Sequence, residues 1–362
     1  MDKPILFLAI LLFCFSCDQN SKIVDRILRL EDFTEVNTPY KVTKIIPLET
    51  RPEILLGEYL SVKISEDHIY IYDKNTRNAI QRFDREGNYL GPAALVGEGP
   101  NTLNAITDFL ISDARLVVLE SMGAYSRIQV FNENGQIIKT IETTYLGFSF
   151  SKLDNGNYVL YGGFNLPLTE NRIVKLTSSG EITDTYLPNT YTGSMLPMQE
   201  QNFVKSGNNL YFHEVFAPKV FSISDSLETV LGFDFGRYAI PERYFEMDWM
   251  EGFEMINSQG FAAISDYFRS GEFHYIGVDV QVEGQLARHH LLWDGEKGTK
   301  RIFSPTQLPA FQYPVAVIGD ELLFISQAAH LLELEPNDLP EGAQHLDPED
   351  NPVLVFVDLS DN

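Results

Sequence analysis

The sequence has only two cysteines, Cys14 and Cys17, and both lie within its first 17 residues. The rest of the chain therefore has neither a disulfide nor a thiol nucleophile, and its fold has to be held together by packing alone. Positive charge is also scarce, because 27 lysines and arginines stand against 51 aspartates and glutamates, for a net charge of −24. A polyphosphate partner needs a basic surface that displaces its counterions, so this balance argues against nucleic acid as a ligand.

Familiar catalytic motifs are missing as well. The chain contains no Gly-x-Ser-x-Gly elbow and no His-Glu-x-x-His motif. His289 and His290 are neighbours on a predicted strand, so they point to opposite faces and do not form a metal-binding pair. Acidic clusters can hold calcium, but no Asp-x-Asp-x-Asp-Gly loop occurs. We therefore expect no catalytic residue, no metal ligand set and no cofactor, with calcium as a weak candidate.

The chain does contain a repeat, built from an apolar strand, a tight polar turn and a second strand. The last apolar residues before the turns are separated by 48, 45, 47 and 70 residues. Short strands that recur every 40 to 50 residues or so are typical of propeller blades, and the long interval indicates an insertion. These residues are Phe83, Phe131, Leu176, Ile223 and Trp293.

The strand pattern predicts an all-β, six-bladed β-propeller over residues 41–362. The sixth blade lacks an outer strand, and residues 42–47 lack a partner, so we expect these residues to pair with residues 353–359. That pairing would close the ring and remove its exposed edges. The six blades are predicted at residues 59–93, 106–141, 148–187, 202–233, 261–303 and 311–359.

Two stretches interrupt the strand pattern. Residues 241–258 carry Phe245, Trp249, Phe253 and Ile256, whose spacing of four, four and three predicts one apolar helical face. We interpret this stretch as a helical insertion between blades four and five that covers part of the propeller. Residues 333–351 are rich in Asp, Glu and Pro and are predicted to form a long exposed loop.

The first residues form a different kind of segment. Lys3 precedes an apolar run too short to span a bilayer, so residues 1–16 are predicted to be an export signal. Ser16 before Cys17 resembles the end of a bacterial lipoprotein signal, which implies that Cys17 is the lipidated first residue of the mature chain. Residues 17–40 would then be the lipid anchor and tether, and the protein would lie at the cell envelope, on the outer membrane.

Loop lengths distinguish the two sides of the predicted ring. First-to-second and third-to-fourth strand turns are short, whereas the remaining connections are long and lie on the opposite side. Binding residues concentrate on long loops, so this side is the predicted binding face. Aromatic planes beside Arg and Asn suit a sugar or a peptide. The candidate ligand-binding residues there are Arg77, Asn78, Tyr125, Arg127, Asn165, Arg172, His213 and Glu214.

The chain resembles the six-bladed β-propeller lipoproteins of Gram-negative bacteria, a TolB-like or NHL-like group. The resemblance spans residues 42–359, and its motifs are structural, so it implies a fold without an active site. The motifs are Ile46-Pro47-Leu48-Glu49-Thr50, Phe83-Asp84-x-x-Gly87, Gly97-x-Gly99-Pro100 and Asn351-Pro352-Val353-Leu354.

Two functions remain open at this stage. The first is an exported, membrane-anchored propeller without catalytic activity, which binds a glycan, a peptide or a partner protein through its long-loop face. The alternative is a propeller hydrolase or lyase with a metal in the central channel. That site would need several acidic, amide or imidazole side chains on innermost strands, where Asp108, Asn202 and Asp266 are scattered candidates.

Overall fold

The computed structural model describes residues 26–36, 41–166, 168–190, 201–303, 309–334 and 339–358. Six sheets form the ring, and the first strands of successive blades contact one another in a closed circle. The predicted all-β, six-bladed propeller is therefore confirmed. In chain order, the elements before the first blade are β1 (Ile27–Leu28), β2 (Thr34–Glu35) and β3 (Val42–Pro47).

The blades run from an innermost first strand to an outermost fourth strand. Blade one is β4 (Leu60–Ile64), β5 (His68–Asp73), β6 (Ala79–Asp84) and β7 (Tyr89–Leu95); blade two is β8 (Asp108–Ser112), β9 (Arg115–Met122), β10 (Tyr125–Phe131) and β11 (Ile137–Thr143); blade three is β12 (Ser149–Lys152), β13 (Tyr158–Tyr161), β14 (Asn171–Leu176) and β15 (Ile182–Pro188). Blade four is β16 (Phe203–Ser206), β17 (Asn209–Phe212), β18 (Lys219–Ile223) and β19 (Leu227–Phe233); blade five is β20 (Phe261–Ser270), β21 (Phe273–Val282), β22 (Gln285–Asp294) and β23 (Lys300–Phe303); blade six is β24 (Tyr313–Ile318), β25 (Glu321–Ser326), β26 (Val353–Asp358) and β3.

The ring is closed by pairing an early strand of the chain with the last described strand. β26 pairs with β3 in antiparallel register, with Leu354 opposite Ile46, so the N-terminal strand is the outermost strand of the last blade. Both of these side chains are buried. Blade six is therefore held by backbone hydrogen bonds between residues about 300 positions apart, as the sequence predicts.

The segment before β3 is attached to the outside of two further blades. β1 pairs in parallel with β19, and β2 pairs in parallel with β23. Leu28 and Phe33 are 3% and 7% exposed, because they insert into the core that blades four, five and six share. Residues 26–36, which the sequence analysis assigned to the tether, thus lie along the outer edges of blades four and five.

Glycine turns fix the distance between neighbouring blades. Gly87 and Gly180 end the third-to-fourth turns of blades one and three, with φ of +89° and +95°. A Cβ atom would lie 2.1 Å from the carbonyl oxygen of Pro47 or of Glu142, respectively, on the outer strand of the preceding blade. Only glycine combines this backbone conformation with such a close approach, which explains the repeated turn.

A short helix lies between blades four and five. α1 (Trp249–Gln259) starts after Asp248, whose carboxylate accepts a hydrogen bond from the Met250 backbone N–H at 3.0 Å. Phe245 therefore precedes the helix, in a 3-10 turn, and is buried together with Ile256. Trp249 and Phe253 are 42% and 45% exposed, so only part of the predicted apolar face covers the propeller.

The connection between β25 and β26 is more ordered than expected. It contains the short helix α2 (Ala328–Leu332) and a 3-10 turn at Ala343–His345. Leu331 and Ala343 are fully buried in the core of blades five and six. The predicted exposed loop, residues 333–351, begins after α2, and its described residues are exposed or half-buried apart from Ala343 and Asn351, so the prediction is confirmed for most of the described loop. None of the described helices is long and apolar enough to cross a membrane.

Candidate functional site

The long-loop face is the side of the ring that carries the second-to-third strand connections and the connections between blades. All eight predicted ligand-binding residues lie at this face, since they follow second strands or begin third strands. Blades two and five depart from the predicted loop lengths, because residues 123–124 and 283–284 form tight two-residue turns. The eight residues form separate groups that have different surroundings.

Arg172 and Glu214 form a buried ion pair between blades three and four. The Arg172 Nε and Nη2 atoms lie 3.0 and 3.1 Å from the two carboxylate oxygens of Glu214. The guanidinium also donates to the Pro188 carbonyl oxygen and lies 4.9 Å from the ring centre of Phe164. Both charged side chains are less than 10% exposed, so these two predicted binding residues join two blades and do not present charge to a ligand.

Asn165 and His213 belong to the same interior region. The Asn165 side-chain amide donates to the Gly162 carbonyl oxygen at 2.7 Å. His213 is 2% exposed, and its burial lowers its pKa to about 4, so the ring is neutral at pH 7. The Asn202 side chain links the His213 carbonyl oxygen to the Ser149 hydroxyl, which ties the first strands of blades three and four together. These residues support the loops rather than a binding surface.

Arg127 and Tyr125 have contrasting surroundings in blade two. Arg127 lies 3.2 Å from a carboxylate oxygen of Glu120, which is fully buried and also accepts from the Gln129 amide and the Asn104 backbone. Tyr125 is 45% exposed. It lies at a groove of about 850 Å³ that also contains the carboxylates of residues 142 and 181. Tyr125 is thus the more exposed of these two predicted binding residues, since the Arg127 side chain is 23% exposed.

Arg77 lines a cleft between blades one and two, and Asn78 follows it in the same loop. Arg77 is exposed, has φ of +54°, and donates from Nε to the Lys74 carbonyl oxygen at 2.8 Å. The Asn78 side chain accepts from the Thr76 hydroxyl, so it stabilises the loop. The cleft measures about 540 Å³ and contains no carboxylate. Its walls are Tyr72, Lys74, Arg77, Val96, Asn104, Ala105, Ile106, Thr107, Ser121 and Phe148.

The channel candidates are engaged in contacts between strands. The Asp108 carboxylate accepts from the backbone N–H groups of Phe109 and Phe150, at 2.8 and 3.1 Å. Asp266 faces Arg288, whose Nη1 is 3.7 Å away, and burial raises the pKa of this carboxyl. Over the ranges that the structure describes, no group of three or more His, Cys, Asp or Glu residues could hold a metal ion. Asp108, Asn202 and Asp266 therefore do not form the ligand set that the hydrolase or lyase hypothesis requires.

Sequence reasoning missed three residues of this region: Lys63, Lys74 and Glu120. Lys63 lies in β4 and lines the channel, and Lys74 follows β5 and lines the cleft. A signal for Lys63 was present, because the first strands of blades three and four also carry a lysine near their ends, Lys152 and Lys205. The predicted lipidation site, Cys17, and the predicted export signal lie outside the described residues.

Comparisons with known proteins agree with this architecture. Residues 34–358 match a family described as a domain of unknown function, DUF4934. No curated protein matches the chain. A crystal structure of an exported protein from Bacteroides fragilis superposes with a TM-score of 0.72 at 14% identity, covering 92% of this chain and 100% of that one. A DUF4221 family member from Bacteroides vulgatus gives a TM-score of 0.53 at 13% identity, covering 88% and 97%.

These likenesses to solved structures concern the fold alone, since so few residues are identical. The family match does show membership, because it covers most of the chain, including every blade and the ring-closing strand β3. The chain belongs to the DUF4934 family.

Proposed function

We propose that the protein is an exported, lipid-anchored propeller without catalytic activity that binds an anionic glycan in the cleft at Lys74 and Arg77. The observation that carries this proposal is the charge of the cleft. Two cations and no carboxylate line it, in a chain whose net charge is −24. Cationic side chains at a cleft attract an anion.

The other walls of the cleft favour a sugar among the possible anions. Phe148 is half-buried and offers a ring for stacking, while Asn104 and Thr107 offer an amide and a hydroxyl group. Aromatic stacking combined with fixed polar groups and a cation suits a uronate-bearing or sulfated saccharide. Binding of this kind needs no cofactor.

The opposite face of the same two blades supports the choice of an anion. A groove of about 800 Å³ there is lined by four carboxylates and one arginine, namely Glu66, Asp67, Asp113, Glu133 and Arg82. An anionic ligand would be repelled from that side and attracted to the cleft. The two faces therefore differ in charge between the same pair of blades.

Glycan-array binding with the full-length mature protein tests the proposal. We expect acidic glycans to bind better than neutral ones, and Arg77→Ala or Lys74→Ala to weaken this binding by about tenfold, since each removes one charge-assisted hydrogen bond. Arg115→Ala removes the same charge from an exposed position on the opposite face and should have no effect. Unchanged binding in both cleft variants, or selective binding of acidic peptides, would refute the proposal.

The anchored location is supported by the apolar run before Ser16 and Cys17, and by the exported description of the similar Bacteroides fragilis protein. Attachment at the outer membrane requires Cys17 to carry lipid. We expect Cys17→Ser to move the protein from the membrane fraction to the soluble fraction and to remove radioactive palmitate labelling. Retention of both in the variant would contradict lipidation at Cys17.

A further inference from the structure

Helix α1 leaves part of its apolar face uncovered. One side of the helix packs on the propeller and buries Gly252 and Ile256. Trp249, Met250 and Phe253 lie together on the adjoining side, because Phe253 is four residues after the first and three after the second. They are 42%, 56% and 45% exposed, in that order. Large apolar side chains that are exposed side by side, and not singly, mark an interaction site.

The tip of blade five extends this apolar surface. The Gln281 side chain, near the end of β21, donates a hydrogen bond to the side chain of Asn257, which lies one helical turn after Phe253. Leu286 of β22 is opposite Gln281 in the antiparallel pairing, so these two side chains project from the same face of the sheet. Leu286 is 58% exposed. We use the name α1 patch for Trp249, Met250, Phe253 and Leu286.

The border of the α1 patch is negatively charged. Glu251 and Glu254 are exposed on α1, and Glu254 lies beside Met250, four residues before it. Glu283 is exposed at the tip of the blade five hairpin. None of the three carboxylates forms an ion pair with another described residue. An apolar surface with such an acidic border is complementary to an apolar stripe that is flanked by cations.

Charge decides among the surfaces that could cover this patch. In a two-fold contact, a second copy of the chain would bring the same glutamates against each other. Arg243, in the turn before α1, does not reverse the sign, because that turn also contains two glutamates. An anionic lipid surface would be repelled as well. A segment that carries lysines or arginines beside its apolar side chains is instead attracted.

We infer that the α1 patch is a docking site for a basic amphipathic helix of a partner protein. Trp249 and Phe253 form a ridge of the kind that packs against another helix, and an exposed tryptophan is a frequent centre of binding energy. The lysines or arginines of the partner meet the glutamates at the border. The patch lies at the connection between blades four and five, whereas the cleft at Lys74 and Arg77 lies between blades one and two.

Tryptophan fluorescence tests this inference on the full-length mature protein. The chain has two tryptophans, of which Trp249 is 42% exposed and Trp293 is 7% exposed. The probe is a synthetic peptide of about 18 residues without tryptophan, with leucines on one helical side and lysines on the other. We expect it to shift the emission to shorter wavelength as Trp249 leaves water, and Trp249→Phe to abolish the shift. A peptide with glutamates in place of the lysines should bind at least about tenfold more weakly.

Two variants place the peptide on the patch. Phe253→Ser should raise the dissociation constant of the leucine–lysine peptide, measured by titration calorimetry, about tenfold or more. Leu90→Ser is the matched control, because Leu90 is also 45% exposed but lies on β7 of blade one. It should change the dissociation constant by less than about twofold. Both substitutions are at exposed positions, where a polar residue is tolerated.

Several outcomes would overturn the inference. They are an emission that the peptide does not change, equal affinities of the Phe253→Ser and Leu90→Ser variants, and equally tight binding of the leucine–glutamate peptide. A wild-type dimer in sedimentation velocity that Phe253→Ser dissociates would assign the patch to a second copy of the chain instead. A shift of the Trp249 emission on phosphatidylglycerol vesicles would assign it to a membrane surface.

Discussion

Blades four to six and blades one to three differ in how much the N-terminal segment contributes to their outer strands. In blades four and five, β1 and β2 add short parallel strands to β19 and β23, and in blade six the segment supplies the fourth strand, β3, which is the last strand of that sheet in the described part of the chain. We call blades four to six, which all receive a strand from this segment, the covered half. In blades one to three, which we call the open half, β7, β11 and β15 are the last strands of their sheets in the described part of the chain.

The difference also extends to the interior. The covered half shares one large core that includes Leu28 and Phe33 from the added segment. The open half is divided among smaller apolar clusters. Pairing with the chain itself therefore protects an edge and adds buried apolar area at the same time.

The open half protects its edges by other means. β7 contains Pro92, and its pairing with β6 is irregular at two places. β11 and β15 present Lys139 and Asp184 to solvent. Proline, irregular pairing and charge each discourage the addition of a foreign strand. The two halves thus show that an edge is made safe either by covering it or by making it a poor template.

The boundary between the halves is where the largest effect is expected. Arg172 lies in blade three and Glu214 follows the second strand of blade four, and both are buried. Arg172→Met leaves the Glu214 carboxylate buried without its partner, so we expect a loss of about 3 to 5 kcal/mol in the free energy of unfolding. Urea denaturation measures this loss.

Two further variants make that test specific. Arg172→Met combined with Glu214→Leu should recover most of the stability, because the uncompensated charge is gone. Lys205→Ala breaks the partly exposed pair with Asp154 between the same two blades and should cost about 0.5 kcal/mol or less. Equal losses for the Arg172 and Lys205 variants would show that the buried pair does not hold the two halves together.

The added segment gives the next largest expected effect. Leu28→Ala removes a side chain that is 3% exposed, so we expect a loss of about 2 to 3 kcal/mol in stability. Ile27→Ala is the matched control. The Ile27 side chain is next in the sequence to Leu28 but is 61% exposed, so its loss should lower the stability by less than about 0.5 kcal/mol. Similar denaturation midpoints for the two variants would mean that the segment does not contribute to the core of the covered half.

The glycine turns test the contacts within the open half. Gly180→Ala places a Cβ atom against the carbonyl oxygen of Glu142 at a positive φ, so we expect a cost of about 2 kcal/mol. Gly123→Ala also has positive φ, at +64°, but meets no atom within 4 Å, and should cost about 1 kcal/mol or less. Thermal unfolding of both variants separates the effect of the close contact from that of the positive φ. Equal losses of stability would exclude the contact with blade two as the cause.

Acidification should change the contributions of one residue in each half to stability in opposite directions. Burial lowers the pKa of His274, in the covered half, to about 3, whereas the unfolded value is near 6.5. Below pH 6.5 the unfolded chain binds a proton that the folded chain refuses, so stability is lost as the pH falls toward 3, by about 1.5 kcal/mol at pH 5.5. Asp108, in the open half, has a raised pKa and stabilises the fold as the pH falls below about 6.

Two variants measure these opposite contributions. We compare urea denaturation at pH 7.5 and pH 5.5 for the wild type, His274→Phe and Asp108→Asn. His274→Phe keeps an aromatic ring beside Trp293 and should lose less stability on acidification than the wild type does. Asp108→Asn should lose more stability than the wild type between pH 7.5 and pH 5.5, by about 1 kcal/mol. Identical pH dependence of stability in all three proteins would contradict the lowered pKa of His274 and the raised pKa of Asp108.

Much of the fold could be predicted because its signals are local. Alternating apolar residues and polar turns such as Asp84-x-x-Gly87 determine where strands start and stop, and their period gives the number of blades. The pairing of β3 with β26 was also predictable, since each strand lacked a neighbour in its own part of the chain. The short strands β1 and β2 were not, because two-residue strands carry no period.

The candidate site was harder to predict, since exposure and pairing are decided by distant residues. Arg77 and Arg172 both stand beside a loop of the long-loop face, yet one lines an open cleft and the other is buried against Glu214. Lys63 and Lys205 occupy similar positions on first strands, yet of these two only Lys205 forms an ion pair, with Asp154 at 2.6 Å. No pattern within a single blade distinguishes the members of these pairs.

The sequence by itself determined six sheets, the closure of the ring and the glycine turns, because hydrogen-bonded strands and positive φ angles leave a local periodic record. Only the tertiary structure decided which edges are covered and which charged residues pair between blades. Such properties depend on side chains from blades that are close in space and far apart in the chain, and electrostatic energy depends on those distances and on burial.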